Sequence, residues 1–201
     1  MRVLLLCGSL QAASSNRAAL DVVRAQLAAG DDVAVEDADE LAAVPPFTPE
    51  AGDDPAPAVA RLRAQLGRAD VVVIATPEYA GGLAGSVKNT LDWIVGSGEL
   101  YAKPVVVLSA GTTGGPYARR DLVQTLTWQG AHVVAELGIA SPRTKSDEHG
   151  RFTDEPALAA LRQLAQRALE APSLAPEERL ARVRAVVERF GIESGHIAPV
   201  P

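Results

Sequence analysis

Apolar and polar positions alternate along the chain in two distinct rhythms. Residues 3–7, 33–35, 71–75, 105–109 and 133–137 are short runs rich in Val, Leu and Ile. The first, third and fourth are apolar at almost every position, as expected of strands buried on both faces of a parallel sheet. Between the runs, apolar residues recur every three or four positions. Leu20, Val23 and Leu27 form one stripe, Val59, Leu62 and Leu66 a second, and Val87, Leu91, Ile94 and Val95 a third. Leu122 and Leu126 mark a fourth, and Leu158, Leu161, Leu164 and Ala168 a fifth. That spacing gives a helix one apolar face. Strand and helix thus alternate five times, which predicts an α/β fold with helices on both faces of the sheet. Right-handed crossovers then leave few topologies.

Two long connections interrupt this rhythm. Residues 41–57 are rich in Pro, Asp and Ala, and residues 141–156 carry both signs of charge. Both exceed the length of a simple connector. After Pro172 and Pro176 comes a sixth stripe, Leu180, Val183, Val187 and Phe190, outside the five strand–helix units. The chain therefore reads as one domain over residues 1–172 and a helical extension and tail over 173–201. A chain of 201 residues is long enough to bury a proper core as a single domain.

Composition narrows the chemistry. Lys and Arg number 19 against 25 Asp and Glu, a formal charge of −6, which argues against a nucleic-acid partner. No apolar stretch approaches the roughly 18 residues that span a bilayer, so no membrane partner is expected. One cysteine excludes a disulfide framework, and the amino-terminal residues lack a signal-peptide pattern; a cytoplasmic protein is expected. Cys7, His132, His149 and His196 are scattered without ligand-type spacing, so no metal site is expected. Cys7, set in an apolar run, reads as a buried inert thiol. Redox work by this chain would need a bound organic cofactor.

The loops after the first, third and fourth strands are the most unusual stretches, and they occupy the end of the sheet where such folds bind ligands. The first loop, Gly8-Ser9-Leu10-Gln11-Ala12-Ala13-Ser14-Ser15-Asn16, runs straight into a helix. Small hydroxyl and amide groups there suit phosphate oxygens, helped by the free N–H groups of the helix start. One of Ser14, Ser15 and Asn16 must also cap that helix. The loop has no lysine and no Walker pattern, which argues against triphosphate hydrolysis. The second loop, from Thr76 to Asn89, contains Pro77, Glu78, Tyr79, Ala80, Gly81, Gly82 and Gly85. Its glycines allow close backbone approach to a flat ligand, and Tyr79 offers an aromatic face. Lys88 and Asp92, four apart on a helix, read as a surface ion pair. The third loop, Ser109-Ala110-Gly111-Thr112-Thr113-Gly114-Gly115-Pro116-Tyr117, again joins hydroxyls and glycines to a tyrosine. Together the three describe a flat, phosphorylated ligand, and flavin mononucleotide (FMN) fits that description.

With those residues in place, the sequence resembles the NAD(P)H-dependent FMN reductases of the flavodoxin-like class. That family typically reads Gly-Ser-Leu-Arg-x-x-Ser-x-Asn in the first loop. In the second it reads Thr-Pro-Glu-Tyr-Asn-x-x-x-Pro-Gly-x-Leu-Lys-Asn-x-x-Asp-Trp. The matches are Gly8, Ser9, Leu10, Ser14 and Asn16, then Thr76, Pro77, Glu78, Tyr79, Gly85, Lys88, Asn89, Asp92 and Trp93. The resemblance extends over roughly residues 2–171 and implies a five-stranded parallel sheet of order 2-1-3-4-5. It implies that Ser9, Ser14, Ser15 and Asn16 hold the phosphate, and that Pro77, Glu78, Tyr79 and Gly81 border the flavin ring. Ser109 and the turn of Gly111, Thr112 and Gly114, with Tyr117 at its end, would lie on the ring's other side.

Several departures bear on the site. Gln11 stands in place of the usual Arg, Ala80 in place of Asn, Ala84 in place of Pro, and Tyr117 where many members carry Arg. Loss of the Arg removes a charge-assisted bond to phosphate and predicts weaker FMN retention. The resemblance further implies hydride transfer from NADPH or NADH through FMN to a flavin, quinone or similar small acceptor. The chemistry then rests on the cofactor and no side chain is assigned as acid or base. No second dinucleotide motif is present, in keeping with donor and acceptor sharing one slot. Backbone N–H groups around Ala80 and Gly81 would stabilise the charge of the reduced ring. Family members commonly form homodimers or homotetramers; residues 84–95, with Trp93, are either an interface of that kind or ordinary core. An electron carrier of the flavodoxin type, without NAD(P)H oxidation, is the alternative on the same fold.

Overall fold

The computed structural model describes residues 1–30, 32–38, 41–51 and 55–200. Its strands are β1 (Arg2–Cys7), β2 (Ala34–Asp37), β3 (Val71–Ala75), β4 (Glu78–Tyr79), β5 (Gly82–Leu83), β6 (Pro104–Gly111) and β7 (His132–Ala140). The helices are α1 (Ser15–Leu27), α2 (Pro57–Arg68), α3 (Gly85–Asp92), α4 (Pro116–Trp128), α5 (Glu155–Glu170) and α6 (Pro176–Arg189). Five strands form one parallel sheet in the order β2-β1-β3-β6-β7. With the small β4–β5 hairpin set aside, this is the expected 2-1-3-4-5 order.

The apolar runs explain the layering. Every residue of β3 is buried, as are residues 3–7 of β1 and 104–110 of β6, so these three strands form the middle of the sheet. Leu20, Val23 and Leu27 of α1 and Leu62 and Leu66 of α2 turn their stripes into the same core. The chain leaves β1 in one direction to reach β2 and in the other to reach β3 and β6. The loops following β1, β3 and β6 consequently meet at one end of the sheet, at the switch point of strand order.

Several elements differ from the sequence-based expectation, among them the fourth strand, which runs on to Gly111 and takes in the start of the third loop. The second strand runs from Ala34 to Asp37 rather than over 33–35, because backbone pairing with β1 carries Glu36 and Asp37 along. Those carboxylates answer to Arg17, Arg24 and Arg68, which blunts an exposed sheet edge with charge. The fifth strand continues to Ala140, since residues 138–140 keep pairing with Ser109, Ala110 and Gly111 of β6. Helix α3 ends at Asp92, so Val95 leaves the stripe and is 60% exposed.

The long connections are held by specific bonds. The Pro45 carbonyl accepts from Trp93 Nε1 at 2.8 Å and from Asn89 Nδ2 at 2.9 Å, and Phe47 packs edge-on against Trp93. Trp93 is 2% exposed and therefore core, not an interface residue. Positions 52–54 of the 41–57 connection lie outside the described residues. In the second connection, Asp154 caps α5 by accepting from the Ala157 N–H at 2.9 Å. Helix α6 lies along β7, with Val183 and Val187 fully buried in the common core. Beyond it, the Ala198 carbonyl accepts from His132 Nε2 at 2.8 Å, and His196 stacks on Trp128. Among the described residues no helix is long and apolar enough to cross a membrane.

Candidate functional site

Each of the three loops is shaped by close backbone packing and then bonded to its neighbours. After β1, the Gly8 N–H donates to the Ala75 carbonyl at 2.7 Å, and a β-carbon on Gly8 would come within 2.2 Å of Val87 Cγ2. Glycine is the residue that fits. Ser86 Oγ donates to the Gly8 carbonyl at 2.7 Å, fastening this loop to α3. Ser14 caps α1 by accepting from the Asn16 N–H, which leaves its hydroxyl proton available to a ligand. Asn16, 3% exposed, spends its amide on β6: Nδ2 donates to the Ala110 carbonyl at 3.2 Å, and Oδ1 accepts from the Ala110 N–H at 2.9 Å. Its side chain clamps the first loop to the third strand of the site, so the phosphate contact expected of it does not fit.

The second loop is a two-residue hairpin between β4 and β5, with Tyr79 opposite Gly82. Ala80 and Gly81 at its tip have φ of 51° and 71°, the paired left-handed conformation of a type I′ turn. Gly81 takes this without cost, whereas Ala80 brings a β-carbon into it. Pro77 is buried beneath the hairpin, while Tyr79 is 56% exposed. Lys88 and Asp92 form the expected pair at 2.5 Å.

Glu78 was expected to border a flat ligand, but its carboxylate faces the third loop instead. Oε2 accepts from the N–H groups of Tyr117 at 2.7 Å and Ala118 at 3.0 Å, and Oε1 accepts from Thr113 Oγ1 at 3.3 Å. Gly115 stands at the cap position before α4, its missing side chain cannot cap the helix, and Glu78 supplies the cap from another loop. Ser109 was also expected to face the ligand. It is fully buried, and a β-carbon on Gly115 would lie 2.1 Å from its Oγ, so Ser109 sits behind the turn. Gly111 is half-buried and Thr112 exposed on the outer side, Gly114 is buried against the end of β7, and Tyr117 is 60% exposed.

The structure therefore brings Ser9, Gln11, Ser14 and Ser15 of loop one, the β4–β5 tip and the Thr112–Tyr117 side of loop three to one end of the sheet. Asn16, Glu78 and Ser86 brace it, and Ser109 is buried behind the turn. The bracing by Ser86 and the capping by Glu78 escape a sequence reading, because both act between loops far apart in the chain. Beside the first loop lies a cavity of about 260 Å³, lined in part by Cys7, Ser9, Gln11 and Arg17. Burial pushes the Cys7 thiol up, keeping it protonated and chemically quiet.

The electrostatics separate the two helix starts. The N-terminus of α4 already holds the Glu78 carboxylate, while the first turn of α1 carries no acidic residue. An anionic group is thus favoured at α1, next to the Ser14 and Ser15 hydroxyls. Such a sheet, with its loops gathered at the switch point, defines a flavodoxin-like protein. The profile of the NADPH-dependent FMN reductase family matches residues 1–146, and the chain belongs to that family. It is a flavin-dependent NAD(P)H oxidoreductase, with FMN as its cofactor.

Curated relatives carry matching names, and a solved structure shares the fold. An NAD(P)H-dependent FMN reductase of Pseudomonas aeruginosa is 35% identical over 87% of this chain and 94% of its own length. An NADPH:quinone oxidoreductase of Arabidopsis thaliana is 28% identical over 82% of this chain and 88% of its own. The fold is also that of FerB, a flavoenzyme NAD(P)H:(acceptor) oxidoreductase from Paracoccus denitrificans. Its TM-score is 0.67 at 21% identity, covering 95% of this chain and 99% of FerB.

Proposed function

We propose that the three loops form the FMN site and that the reduced cofactor serves a small acceptor, a free flavin or a quinone, in the slot that NADPH or NADH vacates. The observation that carries this reading is the contrast between the two helix starts: α4 is closed by Glu78, and α1 is left for a phosphate. Ser9, Ser14 and Ser15 then hold the phosphate with hydroxyl donors, and Gln11 contributes an uncharged amide. Pro77, Tyr79, Ala80 and Gly81 on one side and Gly111, Thr112, Gly114 and Tyr117 on the other border the ring. FMN held there would supply the hydride chemistry between nicotinamide and acceptor, and these residues would supply its position and electrostatics. The N–H groups of Ala80 and Gly81 stand at the hairpin tip, outside the Tyr79–Gly82 pairing, where they can donate to the anionic edge of a reduced ring. No side chain is required as acid or base.

The surface beside α3 and α4 fits a homo-oligomer contact in this reading. Val95 and Trp128, each about 60% exposed, flank a groove of about 670 Å³ that also carries Lys88, Asp92 and Asp121. A mixture of exposed apolar and oppositely charged groups suits a self-complementary interface. The cytoplasm, which maintains both reduced nicotinamide and free thiols, is the compartment we assign.

Purified protein tests the site directly. It should take up FMN, turn yellow and oxidise NADPH when FMN or a quinone is added. Uptake of FMN without NAD(P)H oxidation would point to an electron carrier and overturn the reductase reading; no uptake of FMN would overturn the site itself.

A further inference from the structure

The third loop is tied to the C-terminal helix through a buried charge chain. Arg119 of α4 donates from Nε to the Gly114 carbonyl at 3.0 Å, holding the turn from within. Its Nη1 meets Oε2 of Glu136 on β7, whose side chain is 2% exposed. Arg189, on the last turn of α6, places Nη1 2.5 Å from the other oxygen, Oε1, off the line of a good hydrogen bond. Phe190 packs its ring under the Arg119 guanidinium, 5.8 Å from centroid to Cζ. Gly138 makes room for the arrangement: a β-carbon there would lie 2.6 Å from Arg119 Nη2 and 2.5 Å from the Gly114 oxygen.

The chemistry makes this more than surface pairing. Glu136 is enclosed, and a buried carboxylate is tolerated only when its partners are fixed. Arg119 hydrogen-bonds one oxygen and Arg189 pairs with the other by charge alone, from opposite elements, so Arg119 is fixed in turn. One planar group then joins Glu136 and Gly114, a geometry that a flexible ammonium would not hold as well. The turn it holds is also fastened from Gly114 N–H to the Gly111 carbonyl at 3.0 Å, from Ser141 N–H to the Gly111 and Thr112 carbonyls at 3.1 and 3.2 Å, by a bridge between Thr113 and Ala140, and by the Thr113–Glu78 contact. The family match ends at residue 146, whereas Arg189 lies well beyond it. The C-terminal helix thus reaches the cofactor end of the sheet by way of three side chains.

We propose that Arg119 is a positioning residue for the Gly111–Gly115 turn, set by Glu136 and by Arg189 of α6, so that the C-terminal helix fixes one wall of the flavin site. This rests on the reading that the turn borders FMN. The test uses the full-length apoprotein with Arg119→Met, Arg189→Met and Arg189→Lys. Amide hydrogen exchange at Gly114 and Ser141 is read alongside FMN affinity from flavin fluorescence quenching. Arg119→Met should speed exchange at both amides and weaken FMN by roughly tenfold, the scale of one lost charge-assisted hydrogen bond, with β3 amides unchanged. Arg189→Met, at an exposed position that leaves the fold intact, should do the same by about threefold, and Arg189→Lys should recover most of it. Exchange at Gly114 and Ser141 unaltered in both Met variants would overturn the proposal. So would equal loss at β3, which marks a merely structural role, or FMN affinity unchanged where exchange has quickened. Failure of the wild-type protein to bind FMN would instead overturn the site reading, separately from the exchange result.

Discussion

Glu78 offers a sharp test of how the site is assembled, because one carboxylate caps α4 from a different loop. Replacing it with Gln keeps an oxygen that can still accept from the Tyr117 and Ala118 N–H groups. What is lost is negative charge at a helix start, worth about 0.5–1 kcal/mol. Replacing it with Ala removes both bonds as well, for a total of about 2 kcal/mol. In a chain of this size that lowers the melting temperature by roughly 1–4 °C for Gln and 4–8 °C for Ala. Urea and thermal unfolding of the apoprotein are the assays, so FMN cannot mask the effect. Thr113→Val serves as control: its 3.3 Å contact with Oε1 is long, and its loss should cost less than about 0.5 kcal/mol. If Ala matches wild type, or if Gln costs as much as Ala, capping of α4 by this carboxylate is wrong.

Three further outcomes follow from separate features. Ala80→Asn should raise stability by about 1 kcal/mol by relieving a left-handed alanine at φ 51°; an unchanged urea midpoint would show that the turn carries no such strain. Gln11→Arg should tighten FMN by up to about tenfold through a charged phosphate contact, and equal or weaker affinity would count against phosphate binding at that loop. Burial holds the His132 imidazole below its usual 6.5, so the unfolded chain binds the extra proton first as pH falls. Stability should be at its full value above about pH 6.5 and decline below it, by at most ~1.4 kcal/mol per pH unit from this group. Unfolding midpoints between pH 7 and 5 should flatten in His132→Gln, and an identical slope in the variant would refute the assignment.

The sheet was legible in the sequence because strands buried on both faces need apolar residues at almost every position, and 3–7, 71–75 and 105–108 have them. The edges were less so: β2 is short and partly charged, and β7 runs on through Glu136 and Gly138, where backbone pairing outweighs side-chain pattern. At the site, glycine and serine loops after β1, β3 and β6 announce a ligand. Residue roles within them do not follow from type alone. Asn16 carries the donor and acceptor of a phosphate ligand, yet the same pair matches the N–H and C=O of Ala110, which only the folded sheet brings alongside. Ser109 and Glu78 show the same limit, since what each faces is decided by Gly115 and by the start of α4.

The position of α6 along β7 has a consequence for how the chain can be cut. The last strand of an open sheet presents a row of unsatisfied amides and carbonyls to any passing strand, and here alternate residues of β7 would do so. A protein ending at residue 172 would keep all five strands and the cofactor loops, yet it would uncover that row together with the apolar residues beneath Val183 and Val187. Such a fragment should self-associate through its seventh strand. The final helix is a guard against that association, and it cannot be trimmed as an appendage.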